Sequence, residues 1–195
     1  MENYKAIGFV KEDIRSISEA LAPMINLAAG VIPGVPADEK TSYQIFFRAF
    51  EALQDNIHGK TVEPRYRARY VSKLVYDNAD YSVKPSKFKT ILNLNLDKAG
   101  VKPGQKGAQT TVEHSMPRKM MFDTLVEIAK EQFGVTPMFV ADFIERNNEI
   151  VVLSYEESTI LDSKYRCSSP NLSDKFSRYK AMGIKLVDVQ TGEII

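Results

Sequence analysis

The chain has 195 residues, of which 44% are hydrophobic and 26% charged, and its net charge is +1. This composition is ordinary for a folded protein and excludes the disordered, collagen-like and coiled-coil classes. No apolar run approaches the roughly 18 residues that cross a bilayer, and the first residues lack the pattern of a secretory signal. We therefore expect a cytoplasmic protein with no membrane partner. The lone cysteine, Cys167, excludes an internal disulfide and a multi-cysteine zinc site.

Charge is distributed unevenly along the chain. Residues 60–106 carry eleven Lys or Arg against four Asp or Glu, a net charge of +7, whereas residues 1–59 and 107–195 each have a net charge of −3. These differences divide the chain into a helical N-terminal part (1–59), a basic middle segment and linker (60–106), and a C-terminal α+β lobe (107–195). A basic segment between acidic flanks is a candidate anion-binding face.

Two amphipathic helices are predicted in the N-terminal part. Apolar residues recur at helical spacing over residues 14–25, although Pro23 is expected to kink or end this helix. The capping-box pair Thr41 and Gln44 precedes a second helix with an aromatic face, which Gly59 is placed to end.

Residues 63–76 fit two structures. Aromatic and apolar residues alternate with Arg and Lys as in a strand, whereas a helical period would also stack the tyrosines behind Pro64. The alternation over the whole segment favours the strand. Both structures gather arginines on an exposed side, suited either to phosphate contacts and base stacking or to a solvated outer face. The candidate nucleic-acid-binding residues here and just beyond are Arg65, Arg67, Arg69, Lys73, Lys87 and Lys89.

The rest of the middle segment is less regular. Residues 87–96 alternate Leu with Asn, which fits a half-buried strand, although a helix also fits. Residues 100–107 form a basic, glycine-rich linker without the spacing of a phosphate-binding loop.

The C-terminal lobe is predicted to mix short strands with helices. In order, the patterns indicate an extended segment at 110–112, a helix after Pro117 closed by Gly134, a helix capped by Thr136, a strand at 150–153, a capping-box helix from Ser154, a short helix at 173–182 and a hairpin at 184–195. No strand-helix-strand alternation runs through the whole chain. We therefore expect an α+β fold in which short strands pack on helices, rather than a doubly wound parallel sheet.

Glu113 and His114 are the first candidate site. They follow the extended segment and precede Pro117, which places them at a strand end just before a helix. A carboxylate can hold a divalent cation, and a neighbouring imidazole, with an unperturbed pKa of about 6.5, can take a proton from water. The alternative is a hydrogen-bonded histidine with only a structural role.

The order of these residues and those that follow resembles the HNH, or His-Me finger, nucleases. It comprises Glu113-His114, a proline and a helix, then an asparagine, then a strand that runs into Ser-Tyr-Glu-Glu. The resemblance departs from the family because its final histidine is missing, and because 33 positions from His114 to Asn147 exceed the family's spacing.

The resemblance implies a metal-dependent phosphodiesterase that uses Mg²⁺ or Mn²⁺. It implies His114 as general base, Asn147 or Asn148 as the orienting amide, and Glu113 with Glu156 or Glu157 as metal ligands. Hard oxygen ligands suit Mg²⁺ or Mn²⁺. Arg118 and Lys119, at a predicted helix start, would hold the phosphate. Ordinary helix-start acids are the other interpretation of Glu156 and Glu157.

Two non-catalytic classes remain open. A nucleic-acid-binding protein would use the basic segment 60–106 and leave Glu113 and His114 structural. An interaction protein, for example a small phage-type inhibitor of a host enzyme, would bind protein through the acidic flanks or the apolar loop at residues 30–36. A DNA or RNA partner is therefore the first expectation and a protein partner the second.

Overall fold

The computed structural model describes residues 11–56, 69–78 and 110–195. In chain order the elements are α1 (Lys11–Ala28), α2 (Glu39–Asn56), β1 (Tyr70–Ser72), α3 (Lys73–Asn78), β2 (Thr110–His114), α4 (Arg118–Gln132), α5 (Pro137–Asn147), β3 (Ile150–Ser154), α6 (Tyr155–Tyr165), α7 (Ser177–Ala181) and β4 (Leu186–Asp188). Helices together with a small mixed sheet confirm the expected α+β fold.

The chain divides into two compact units. The helical unit comprises Met1–Val62 and Arg118–Asn148, and the sheet unit comprises Glu63–Pro117 and Glu149–Ile195. Two helices of the C-terminal half, α4 and α5, thus pack with α1 and α2, a grouping that charge distribution did not indicate.

The helical unit is held together by apolar and aromatic side chains. The rings of Phe46 and Phe50 on α2 lie 5.8 Å apart, and that of Phe122 on α4 lies 5.6 Å from Phe46. On α1, the side chain of Asn26 bonds to both the amide and the carbonyl of Val135, at 2.8 and 3.0 Å, and so fixes the turn between α4 and α5. Much of the predicted apolar faces is buried, including Leu21, Phe46 and Leu125, whereas Phe133, predicted on the apolar face of α4, is exposed.

The ends of α2 and α4 differ from the sequence predictions, and of the two outcomes predicted for Pro23 the structure excludes the end of the helix. Pro23 lies inside α1 without ending it, because Leu21, Ala22 and Ile25 around it are all buried and packing outweighs the lost backbone hydrogen bond. The α2 helix begins at Glu39, and the carboxylate of Asp38, rather than Thr41, accepts a cap bond at 3.1 Å.

At the end of α4 both Phe133, with φ of 57°, and Gly134, with φ of 126°, have positive φ, and Phe133 occupies the first position after the helix, where glycine is favoured. The amide of Gly134 then bonds to the carbonyl of Ala129 at 2.8 Å, which is the Schellman arrangement. The side chain of Phe133 is 90% exposed.

The sheet unit contains a four-stranded sheet in the order β2-β3-β1-β4. The inner strands β1 and β3 are parallel, with Tyr70 opposite Val151, and both outer strands are antiparallel to their neighbours. One face packs on α6 and α7 through a buried cluster in which the ring of Tyr70 meets Phe176 edge-on at 4.7 Å. The predicted hairpin at the end of the chain is confirmed by paired bonds between Leu186 and Ile195.

The described part of the ambiguous segment 63–76, from residue 69 on, contains both a strand and a helix. Tyr70–Ser72 is a strand, and Lys73–Asn78 is a helix that begins directly after it. The hydroxyl of Ser72 accepts a bond from the amide of Val75 at 3.2 Å. This bond caps the start of α3, so the strand ends at Ser72.

Several predictions lie outside the described residues. Both predicted domain boundaries, at 59/60 and 106/107, fall there, as do the strand at 87–96 and the linker at 100–107. The same holds for Arg65, Arg67, Lys87 and Lys89. Within the described ranges, no helix is long and apolar enough to cross a membrane.

Candidate functional site at the end of strand β2

Strand β2 forms an edge of the described sheet and carries Glu113 and His114 at its end. His114 lies opposite Ile150 on β3, and the next residue, Ser115, donates its amide to the carbonyl of Glu149 at 2.8 Å. In an antiparallel pair this arrangement turns the carbonyl of His114 away from β3. The strand end therefore offers that carbonyl at the open edge of the sheet.

Two residues of α7 fill this open position. Arg178 donates from Nη2 to the carbonyl oxygen of His114 at 2.6 Å, and the hydroxyl of Tyr179 donates to the same oxygen at 3.1 Å. Nη2 of Arg178 also lies 3.1 Å from the Tyr179 hydroxyl. The side chain of Arg178 is 1% exposed and that of Tyr179 is fully buried. Both donors are thus fixed in the interior of the sheet unit.

Glu113 joins the same network through its side chain. Its Oε1 accepts a bond from the hydroxyl of Ser158 on α6 at 2.8 Å, and its Oε2 lies 3.5 Å from Nη2 of Arg178. Burial raises the pKa of Glu113, while the Ser158 bond and the charge of Arg178 act in the opposite direction. Burial likewise raises the pKa of Tyr179, which keeps its hydroxyl protonated as a donor.

The end of helix α6 is held by the same arginine. Nη1 of Arg178 donates at 3.2 Å to the carbonyl of Tyr165, the last residue of α6, whose carbonyl has no partner within the helix. A cation at this negative helix end is also electrostatically favourable. Nε of Arg178 is buried and has no hydrogen-bond partner in the described part of the chain.

The two glutamates of α6 have different roles. Glu157 closes the predicted capping box: its carboxylate accepts from the amide of Ser154 at 3.0 Å, and its own amide donates to the Ser154 hydroxyl at 3.1 Å. Glu156 is exposed in the first turn. The local capping pattern thus accounts for Glu157, the ligand that the resemblance placed last.

Asn147 and Asn148 belong to the helical unit, whereas Glu113 and His114 belong to the sheet unit. The side-chain amide of Asn147 donates to the carbonyl of Phe143 at 2.8 Å, and buried Asn148 caps α5. Both asparagines therefore have interactions that end a helix.

The described basic candidates pair with nearby acids. Arg69 bonds to Asp188 on β4 at 2.7 and 2.8 Å, and Lys73 bonds to Asp77 one helical turn later. In consequence the pKa of Arg69 is raised, chiefly by the bond to Asp188. Arg69 thus has a structural role in the sheet whatever else it contacts.

Arg118 and Lys119 lie in the first turn of α4, as predicted. Nη1 of Arg118 lies 3.5 Å from Glu51, and its guanidinium is 4.1 Å from the ring centre of Phe47. Lys119 pairs with Asp123. A phosphate bound here would have to compete with both carboxylates.

A metal site requires several oxygen or nitrogen ligands around one point. Among the described residues, no three His, Cys, Asp or Glu side chains come together in that way. Both oxygens of Glu113 face donors, and Glu157 is bonded to its helix start. As arranged, these carboxylates do not form the ligand set that the HNH resemblance implies, and the use of Mg²⁺ or Mn²⁺ stays a prediction.

Ser158, Arg178 and Tyr179 were not predicted as site residues. The pattern of residues 173–182 predicts a helix, of which the structure has only Ser177–Ala181, but nothing in their spacing shows that Arg178 points inward. Its partner His114 lies 64 positions earlier, so the contact depends on tertiary structure alone. An arginine directly before a tyrosine is a weak sequence pattern, because it also occurs in many helices whose arginine is exposed.

Compared with protein-family models, with curated proteins and with solved structures, the chain matches none of them. The HNH resemblance therefore stays a prediction based on the order of a few residues.

Proposed function

We propose that the protein acts on nucleic acid, and that the end of β2 is its functional site, with His114 as the proton acceptor in phosphodiester hydrolysis. The observation that carries the proposal is the double hydrogen bond from buried Arg178 and Tyr179 to the His114 carbonyl. Sites built on strands and supported by locked neighbours hold a reacting group more precisely than loops do.

The free-energy cost of burying Arg178 and Glu113 favours a role for them beyond stability. Burial of an ion pair carries a desolvation penalty, and well-packed apolar residues of similar volume are often as stabilising. The sheet unit nevertheless has Arg178 and Glu113 at a strand end that carries a histidine. Carboxyl groups with a pKa raised by burial are also concentrated at functional sites.

In the proposed reaction His114 takes a proton from water as the water oxygen bonds to phosphorus. The bond from phosphorus to the leaving oxygen breaks, and that oxygen receives the proton back from His114. The basic segment 60–106, with a net charge of +7, is proposed to hold the nucleic acid by charge. A cytoplasmic location remains part of this proposal.

The test is a cleavage screen on single-stranded DNA, duplex DNA and RNA, with and without Mg²⁺ or Mn²⁺. His114→Ala should reduce cleavage by about 10²- to 10⁴-fold while leaving binding intact. His58→Ala, prepared in the same way, is the matched control for the loss of a histidine and should cleave like the wild type. Equal activity, or equal inactivity, of wild type and His114→Ala would reject the hydrolytic role.

A second candidate function is nucleic-acid binding without catalysis. It is favoured by the bonds that already occupy the carboxylates of Glu113 and Glu157. Binding through the basic segment should weaken linearly with the logarithm of salt concentration. Because Arg69 holds buried Asp188, the suitable variant is Arg65→Ala with Arg67→Ala, which should lower the slope by about two units. An unchanged slope would place the contact elsewhere and favour a protein partner.

A further inference from the structure

The carbonyl oxygen of His114, at the end of β2, accepts hydrogen bonds from both Arg178 and Tyr179. This shared acceptor indicates a more specific role for the two residues. We infer that Arg178 and Tyr179 are positioning residues: they hold the peptide of His114 and thereby set the direction of its imidazole. This inference rests on the proposed function for its catalytic consequence, but its structural part can be tested separately.

The convergence on one atom exceeds what the edge of a sheet requires. A carbonyl at an open strand edge is satisfied by a single water molecule or a single donor. Here the His114 oxygen receives one bond from a guanidinium and a second from a phenol, at 2.6 and 3.1 Å. Two donors that approach from different directions restrict the rotation of the peptide plane more than one donor does.

The two donors are themselves fixed. Arg178 is anchored at its other end by the Tyr165 carbonyl at 3.2 Å, and Tyr179 lies in the buried cluster beneath the sheet. Ser158 on α6 holds the carboxylate of Glu113, the residue next to His114 at the same strand end. The bonds of Arg178 and Tyr179 join β2 to α7 and the bond of Ser158 joins it to α6, so the strand end cannot tilt without breaking one of them.

The arginine is oriented by these contacts rather than by complete hydrogen bonding. Its Nη1 and Nη2 bond to the carbonyls of Tyr165 and His114, whereas its buried Nε has no partner in the described residues. An unpaired buried donor costs free energy. That cost is consistent with a side-chain position of Arg178 that is set by its bond to the strand end, and not by the pairing of all its own donors.

Tyr179→Phe is the sharpest variant because it removes one hydroxyl and little volume. The matched control is Tyr165→Phe, which makes the same change at a half-buried tyrosine of the same unit and leaves the Tyr165 carbonyl in place. Arg178→Lys, which keeps the charge but loses the forked geometry, is the second variant. Thermal unfolding shows that each variant is folded before it is assayed.

The first measurement is independent of activity. NMR titration of the imidazole signals, assigned with His114→Ala and His58→Ala, should show a changed His114 chemical shift and titration midpoint in Tyr179→Phe and Arg178→Lys. Tyr165→Phe should reproduce the wild-type curve. If Tyr179→Phe and Arg178→Lys also reproduce it, the positioning role is overturned.

The second measurement is the cleavage rate of the folded variants. Misplacement of a reacting group by about 1 Å can cost about 10²-fold, so Tyr179→Phe should lower kcat by about 10- to 100-fold without a change in KM. Wild-type kcat in Tyr179→Phe would overturn the catalytic consequence. If the wild type cleaves no substrate, the proposed function fails, and the titration alone decides the positioning role.

Discussion

The interiors of the two units contain different kinds of side chain and interaction. The helical unit packs stacked and tilted aromatic rings, such as those of Phe46 and Phe122, and the cations that lie against its rings, Arg118 and Lys119, are 24% and 43% exposed. The sheet unit places the charged pair Arg178 and Glu113, as well as Asp188, in or beside its core. Apolar packing depends on shape and volume, whereas a buried charge also depends on its partner and on pH.

This difference bears on which unit can hold one specific arrangement of polar groups. An apolar interior tolerates many substitutions of similar volume, so it specifies a fold without specifying one chemical arrangement. The interior of the sheet unit requires a particular donor at a particular distance from His114. The variants below separate these two kinds of interior, in order of expected effect.

The largest effect is expected from Phe46→Ala in the helical unit. Loss of a fully buried phenylalanine leaves a cavity beside Phe50 and Phe122, and should lower the free energy of unfolding by about 4 kcal/mol. The same loss should be measured in urea at acidic and at neutral pH, because no titratable group enters the cavity. The control is Phe133→Ala, the same change at a 90% exposed ring, which should cost little.

Arg178→Met should lower the stability of the sheet unit by about 3 kcal/mol, because it leaves the carboxylate of Glu113 without its buried partner. Adding Glu113→Gln removes the uncompensated charge and should restore part of the loss. A double-mutant cycle in urea measures this coupling. If the double variant is no more stable than Arg178→Met, the two charges are not coupled and the contrast between the units is lost.

A smaller effect, of opposite sign, is expected at the end of α4. Phe133 occupies the left-handed position that glycine favours, so Phe133→Gly should raise the free energy of unfolding by about 1 kcal/mol. Phe133→Ala removes the same exposed ring but keeps a Cβ at positive φ, and it should show no such gain. Equal stabilities of the two variants would mean that backbone strain at this position is negligible.

The smallest effect is the pH dependence of Glu113. Its pKa is raised in the folded protein by burial, above the usual 4.5. The folded state therefore holds the proton more tightly than the unfolded chain, and this contribution is present below pH 4.5 and lost as pH rises through the raised pKa. Relative to Glu113→Gln, the wild type should lose stability over that window. A difference that is flat with pH would contradict the shift.

The parts of the structure that the sequence predicted are those set by local patterns. The Thr136 cap, the Ser154 and Glu157 capping box and the apolar faces of α2 and α4 each involve residues within a few positions of one another. The early start of α2 was missed because Asp38 precedes a second acceptable cap at Thr41.

The candidate site was predicted only in part. The strand end of Glu113 and His114 followed from local residue preferences and from Pro117. The partners of that strand end did not, since Arg178 and Ser158 reach it from 65 and 45 positions away in sequence. Local patterns do not specify which helix packs on which strand, and a buried arginine contradicts the usual expectation that arginine is exposed.

The strand order of the sheet has a consequence for how the protein is made. Inner strand β1 pairs with β3 and β4, and Arg69 beside it bonds to Asp188, 119 positions later in the chain. Pairing between residues so far apart in sequence slows folding. During synthesis the residues of β1 have no strand partners until the later strands are made, so they are exposed to aggregation. A chain that stops before residue 178 would contain His114 but lack both donors to its carbonyl. Premature termination should therefore yield a product that carries the candidate catalytic histidine on an unsupported strand end.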